Sequence, residues 1–152
     1  MAKHTLRPLN FVSRQDADTG ARVTRLTPAD VTCHRNYFYQ KCFTRDGQRL
    51  LFGAEFGPGP HWHYHLLDLP SQTALQLTDG EGENTFGGFL SPDDQRLYFV
   101  RGDRQLICLA LKGLHEDVVY TVPEGWVGYG TWVSNSACTH MVGIEIHADD
   151  WF

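Results

Sequence analysis

A ten-residue block recurs along this chain. Phe43-Thr-Arg-Asp-Gly-Gln-Arg-Leu-Leu-Phe52 is echoed by Leu90-Ser-Pro-Asp-Asp-Gln-Arg-Leu-Tyr-Phe99 and, more faintly, by Val133-Ser-Asn-Ser-Ala-Cys-Thr-His-Met-Val142. The copies start at Phe43, Leu90 and Val133, so the spacings are 47 and 43 residues. Periods of this size belong to propeller blades, each a small antiparallel sheet of four strands. Blades bury their faces against one another and close only as a ring of several. The spacing predicts an all-β chain holding about three blades of an incomplete propeller, with further blades expected beyond Phe152.

Composition agrees. A length of 152 residues supports an ordinary core. Hydrophobic content of 41% with 20% charged residues excludes a disordered or fibrous chain. A net charge of −5 argues against a nucleic-acid partner. The cysteines, Cys33, Cys42, Cys108 and Cys138, form no Cys-x-x-Cys pair, which removes zinc-ribbon and thioredoxin readings. Reduced, partly buried thiols are expected. The first residues lack an apolar export segment, and no stretch approaches a membrane span. Cytoplasmic localisation and no membrane partner are therefore expected.

Each copy of the block is followed by further apolar runs. His65–Leu69 and Ala74–Thr78 follow the first, and Gln105–Leu111 and Val118–Val122 follow the second. Asp46-Gly47 and Asp93-Asp94 supply turn chemistry before the Leu-rich strands. The expected division of the domain, residues 1–152, is a closing blade's outer strands over 11–27, a blade over 28–81, another over 82–125, and the start of a further blade over 126–152. The strands of 11–27 and the last strand would leave open edges able to recruit other chains, so self-association is expected.

The segments just ahead of each block are Thr32–Lys41, Gly82–Phe89 and Trp126–Trp132. They are read as loops opening at one mouth of the central channel, where ligands bind. The first carries His34, Arg35, Tyr37, Tyr39 and Lys41. Arginine offers a fork and lysine a point charge for a carboxylate, and the rings can stack on sugar faces. Asn84 and Tyr129 stand in the matching segments. Gly87 and Gly88 are read as packing glycines near a crowded axis. His61, His63 and His65 could share one strand face and hold a metal. They fall in a hairpin away from the expected mouth with no evident carboxylate to orient them, so they are read as a hairpin, not a metal site. Glu81, Glu83, Asp93 and Asp94 are read as turn residues.

Val31–Phe43, Asn84–Asp94, Trp126–Trp132, Gln15–Gly20 and Val142–Ile146 together resemble the oligogalacturonate lyase family. The likeness runs over nearly all of the chain. It implies a cytoplasmic, seven-bladed propeller that cleaves short oligogalacturonides by β-elimination in pectin degradation, with manganese as the metal. The family is longer than this chain. Its metal-binding histidines, its catalytic-base histidine and its charge-stabilising arginine all fall beyond the positions present here. The resemblance therefore implies an N-terminal fragment with no catalytic and no metal-ligating residue of its own, inactive alone and binding no manganese. By repeat equivalence His34, Arg35, Tyr37, Tyr39, Lys41, Asn84 and Tyr129 are assigned to substrate contact. The alternative is a non-catalytic TolB-like propeller module that binds a partner or an acidic sugar.

Overall fold

The computed structural model describes residues 2–57 and 61–150; at Tyr129 and Gly130 the backbone alone is described. Thirteen strands follow in order: β1 Leu6–Pro8, β2 Val12–Gln15, β3 Arg22–Arg25, β4 Cys33–Arg35, β5 Arg49–Ala54, β6 His63–Asp68, β7 Thr73–Gln76, β8 Glu83–Leu90, β9 Arg96–Arg101, β10 Gln105–Ala110, β11 Glu116–Thr121, β12 Trp126–Ser134 and β13 Met141–His147. A single 3-10 turn, Ala148–Asp150, follows, and no α-helix occurs among the described residues.

Every strand pairing is antiparallel. The sheets run β1-β7-β6-β5-β4, β11-β10-β9-β8, β12-β13 and β2-β3. Consecutive strands joined by tight turns are what blades of a propeller require. The strand β1 was not foreseen. It joins the outer edge of the first sheet, with Leu6 opposite Leu75, and its Pro8 is tolerated because an edge strand needs no further donor there.

Alternation along each strand sends side chains to both faces, and in the middle strands of the two larger sheets, β5, β6, β9 and β10, both faces are buried. From the first sheet, Leu51, Tyr64, Leu66 and Leu77 meet Leu90, Leu97, Phe99, Ile107 and Leu109 of the second. On the other face, Phe52, Ala54 and Leu67 pack with Leu9, Phe11, Leu26 and Val31. Phe89, Tyr98, Val100 and Leu106 form the third layer with Trp132, Cys138 and Met141. Each large side chain so buried contributes roughly 1.5–3 kcal/mol. Beyond these layers the outer faces stay bare: Val12 and Val23 on one side, Val142 and Ile144 on the other, are all at least 44% exposed.

The recurring block is a hydrogen-bonded turn. Thr44 N–H donates to the Arg49 carbonyl, Ser91 N–H to that of Arg96, and Asn135 N–H to that of His140. Three residues into each turn stands a residue of positive φ: Gly47 at 67°, Asp94 at 59° and Cys138 at 54°. The third copy is thus offset by one from the sequence alignment, with Asn135, not Ser134, equivalent to Thr44 and Ser91. Its side chain takes the same role, since Asn135 Oδ1 accepts from His140 N–H as Thr44 Oγ1 does from Arg49 N–H and Ser91 Oγ from Arg96 N–H.

Two segments read as loops are strands. Gly82–Phe89 lies almost wholly in β8, and Trp126–Trp132 lies in β12. These are the innermost strands of their sheets. Glycine-rich and without apolar alternation, they pack against neighbouring inner strands where little room exists. Gly88 shows why: a Cβ there would strike the Tyr64 ring.

Candidate functional site

After β4 the chain continues along the inner edge of β8. Tyr37 N–H donates to the Phe86 carbonyl at 2.8 Å, the Asn36 amide donates to the Gly88 carbonyl, and Leu90 N–H donates to the Lys41 carbonyl at 3.0 Å. The same segment reaches the third sheet, where the Tyr39 hydroxyl meets Thr131 Oγ1 at 2.6 Å and the Gln40 amide donates to the Trp132 carbonyl at 2.8 Å. Residues 33–41 therefore stitch three sheets together along their inner strands.

That course separates residues expected at one mouth. His34 lies by Thr85 and Phe86, midway along β8. Lys41 lies past the end of β8, where its ammonium pairs with Asp94 and donates to the Ser91 carbonyl at 3.0 Å. Its charge is thus already matched.

His34 is also engaged. Its Nδ1–H donates to the Arg35 carbonyl at 3.1 Å, leaving Nε2 to accept from the Thr85 hydroxyl at 2.9 Å. Its ring stacks on Phe86 at 3.7 Å and leans on Trp62 at 4.6 Å. Burial lowers its pKa, opposed by the Arg35 carbonyl and by Glu55.

Arg35 differs from both. It is exposed on β4, and its guanidinium has no hydrogen-bond or ion-pair partner among the described residues. Beside it in sequence Tyr37, Phe38 and Tyr39 are 47%, 71% and 52% exposed, in mutual ring contact at 4.9–5.2 Å. A free guanidinium followed by open aromatic faces is suited to an acidic sugar. Asn84 is half-buried and engaged locally: its Oδ1 accepts from Phe86 N–H at 3.1 Å, and its backbone carbonyl accepts from the Tyr64 hydroxyl. The Tyr129 side chain lies outside the described residues; its backbone pairs with Ile144.

Sequence reasoning missed Glu83. It is not an exposed turn residue. It opens β8 with its side chain fully buried. The carboxylate receives Arg101 at 3.0 Å, Gly80 N–H at 3.0 Å and the Thr78 hydroxyl, with His63 Nδ1 at 3.2 Å. Arg101 also pairs with Glu116 at 2.8 Å, and Glu116 with Lys3 at 2.5 Å. Burial opposes the charge of Arg101, and Glu116 and Glu83 more than offset it, raising its pKa. The histidine hairpin therefore does have a carboxylate beside it, and through Trp62 it reaches His34, close to the inner strands and not remote from them. His65 is buried against Phe52 and Phe56, with Nδ1–H donating to the His63 carbonyl at 3.0 Å. Burial brings its pKa down to about 4. No three His, Cys, Asp or Glu side chains converge as a metal site among the described residues, and no helix among them is long and apolar enough to cross a membrane.

Fold and site together define a β-propeller-type protein with a cationic and aromatic inner segment. The oligogalacturonate lyase profile matches residues 1–152. The chain belongs to the oligogalacturonate lyase family. It is 62% identical over 151 residues to the oligogalacturonide lyase of Pectobacterium atrosepticum and 60% identical to the oligogalacturonate lyase of Dickeya dadantii. Each match covers 99% of this chain and 38% of the relative, so the chain spans well under half their length. It superposes on a solved oligogalacturonate lyase in complex with manganese with a TM-score of 0.96 and 64% identity, covering all of this chain and 40% of that one. The oligogalacturonate lyase of Vibrio parahaemolyticus gives 0.95 and 53%, with 99% and 39% covered.

Proposed function

We propose that this chain supplies substrate-contacting surface to an oligogalacturonate lyase, which acts in the cytoplasm on short oligogalacturonides during pectin degradation. Such an enzyme removes the C5 proton of a uronate beside its carboxylate, and the C4 oxygen departs. Arg35 is the group best able to meet a uronate carboxylate, because it is the inner-segment cation left free when Lys41 is paired and His34 is locked. Tyr37 and Tyr39 offer ring faces to the sugar. His34 holds Phe86 and Thr85 in place and does not contact substrate in this reading. The four sheets correspond to one blade's outer pair, two blades and the start of another.

Manganese accompanies one similar solved structure. The donor set among the described residues does not fit that ion: His63 is held by Glu83, His65 is buried and neutral, and no third ligand converges on either there. The proposal assigns contact, not chemistry, to this chain.

The test is ultraviolet absorbance of the unsaturated uronate product, with the chain at saturating trigalacturonate, with and without manganese. No turnover is expected. Metal-dependent turnover that His34→Ala abolishes would overturn the assignment.

A further inference from the structure

The three recurring turns converge on one cleft. Arg45, Pro92 and Ser136 each stand immediately after the residue whose N–H closes the turn, which is Thr44, Ser91 or Asn135. All three line a cleft of about 590 Å³ where the first three sheets meet. Tyr39, Ser134 and the buried Phe89 line it too. Its size lies within the range of small-molecule sites. Arg35 stands toward the start of β8, beside His34, which bonds Thr85. The cleft begins at Phe89, roughly 13 Å further along that strand.

The charges there reduce to one cation. Lys41 pairs with Asp94, whose other oxygen accepts from Arg45 N–H at 2.8 Å. Asp46 and Asp93, the other acids of these turns, bond within them, to the Thr44 and Ser91 hydroxyls. The Arg45 side chain is exposed, and its guanidinium has no hydrogen-bond or ion-pair partner among the described residues. The Ser134 and Ser136 hydroxyls are likewise without partners among those residues. The Tyr39 hydroxyl is tied to Thr131 Oγ1, which holds its ring at the cleft.

We propose that this cleft is a second uronate site, apart from Arg35. Arg45 takes the carboxylate as a two-pronged donor. The Tyr39 ring takes a sugar face, and the Ser134 and Ser136 hydroxyls bond the hydroxyls of the sugar. One free guanidinium balances one carboxylate. A phosphate dianion brings a second charge, and the Lys41–Asp94 pair has none to spare for it. The choice of a uronate rests on the proposed function, but Arg35 and Arg45 are read separately by experiment.

The experiment is arginine labelling of the folded chain with phenylglyoxal, mapped by mass spectrometry, with and without D-galacturonate. A single sugar in an open cleft binds weakly, with a Kd on the order of 1 mM, so about 10 mM galacturonate should slow labelling of Arg45 by about tenfold. Arg14 and Arg22, exposed on β2 and β3, should label at an unchanged rate. D-Galactose, acetate and inorganic phosphate at the same concentration should each protect Arg45 by less than about twofold. Ser134→Ala with Ser136→Ala should cut the galacturonate protection by at least about threefold while Tm holds, and the wild-type pattern stands by itself if that variant folds poorly. An unprotected Arg45, or equal protection by acetate or phosphate, would overturn the proposal. Protection of Arg35 alone would overturn it and leave the Arg35 assignment standing, whereas protection of Arg45 alone would do the reverse.

Discussion

The Tyr64 hydroxyl accepts a hydrogen bond from Gly88 N–H at 2.6 Å, and Gly88 leaves the space where that phenol stands. The same hydroxyl donates to the Asn84 carbonyl at 2.8 Å. One fully buried side chain of the first sheet thus satisfies two backbone groups on the inner strand of the second. Tyr64→Phe should cost about 1–3 kcal/mol, because both groups lose their partner in a dry site. Gly88→Ala should cost at least as much, because the added carbon overlaps a rigid ring. Urea midpoints check both, and unchanged midpoints would show that the inner strands can shift freely.

The buried carboxylate of Glu83 gives a second expectation. Glu83→Ala leaves Arg101 beside Glu116 alone and leaves Gly80 N–H and the Thr78 hydroxyl without their acceptor. Breaking a buried pair from one side costs about 3–5 kcal/mol. Exchanging the exposed Asp149 for Ala should change stability by less than about 0.5 kcal/mol. Chemical denaturation of both variants tests the contrast.

Acid should weaken the fold through His65. Its folded pKa is about 4 against an ordinary 6.5. The unfolded chain then binds more protons between those values, so stability is intact above pH 6.5 and falls as pH drops toward 4. The full loss is about 3 kcal/mol. His34, also lowered by burial, adds in the same direction. His65→Leu should flatten the curve of melting temperature against pH over this window. A wild-type curve already flat there would contradict a neutral buried imidazole.

Much of the fold was legible because the turns declare themselves. Asp46-Gly47 and Asp93-Asp94 place a left-handed residue where a tight turn needs one, and the Leu-rich strands follow. The third turn slipped by one because Cys138 occupies that position and Asn135 does the work of Thr44 and Asp46 together. The inner strands were not legible, since β8 and β12 carry glycine and polar residues where an ordinary strand alternates. The form of β8 is set by neighbours such as Tyr64 and Thr131, far away in sequence. Glu83 was missed for the same reason: Arg101 and His63 reach it from different strands. Of the site, the sequence marked the right segment but not its state. Ion pairing of Lys41 and stacking of His34 on Phe86 depend on partners that no local motif reveals.

The bare outer faces carry a prediction about association. Val142 and Ile144 are 66% and 58% exposed on β13, whose outer edge is unpaired among the described residues. Such an edge recruits other strands. Light scattering should show mass above that of one chain, rising with concentration. Val142→Lys with Ile144→Lys should return it toward a single chain, whereas a concentration-independent monomer would show the edge to be inert.

The most direct test of substrate contact is calorimetric titration of the chain with trigalacturonate. Saturable binding is predicted. Arg35→Ala should weaken it by at least about tenfold, equivalent to about 1.4 kcal/mol, and Lys41→Ala should change it by less than about twofold because that charge is already paired with Asp94. Absence of binding, or equal loss in both variants, would contradict the assignment of Arg35 as the free cation that meets the uronate.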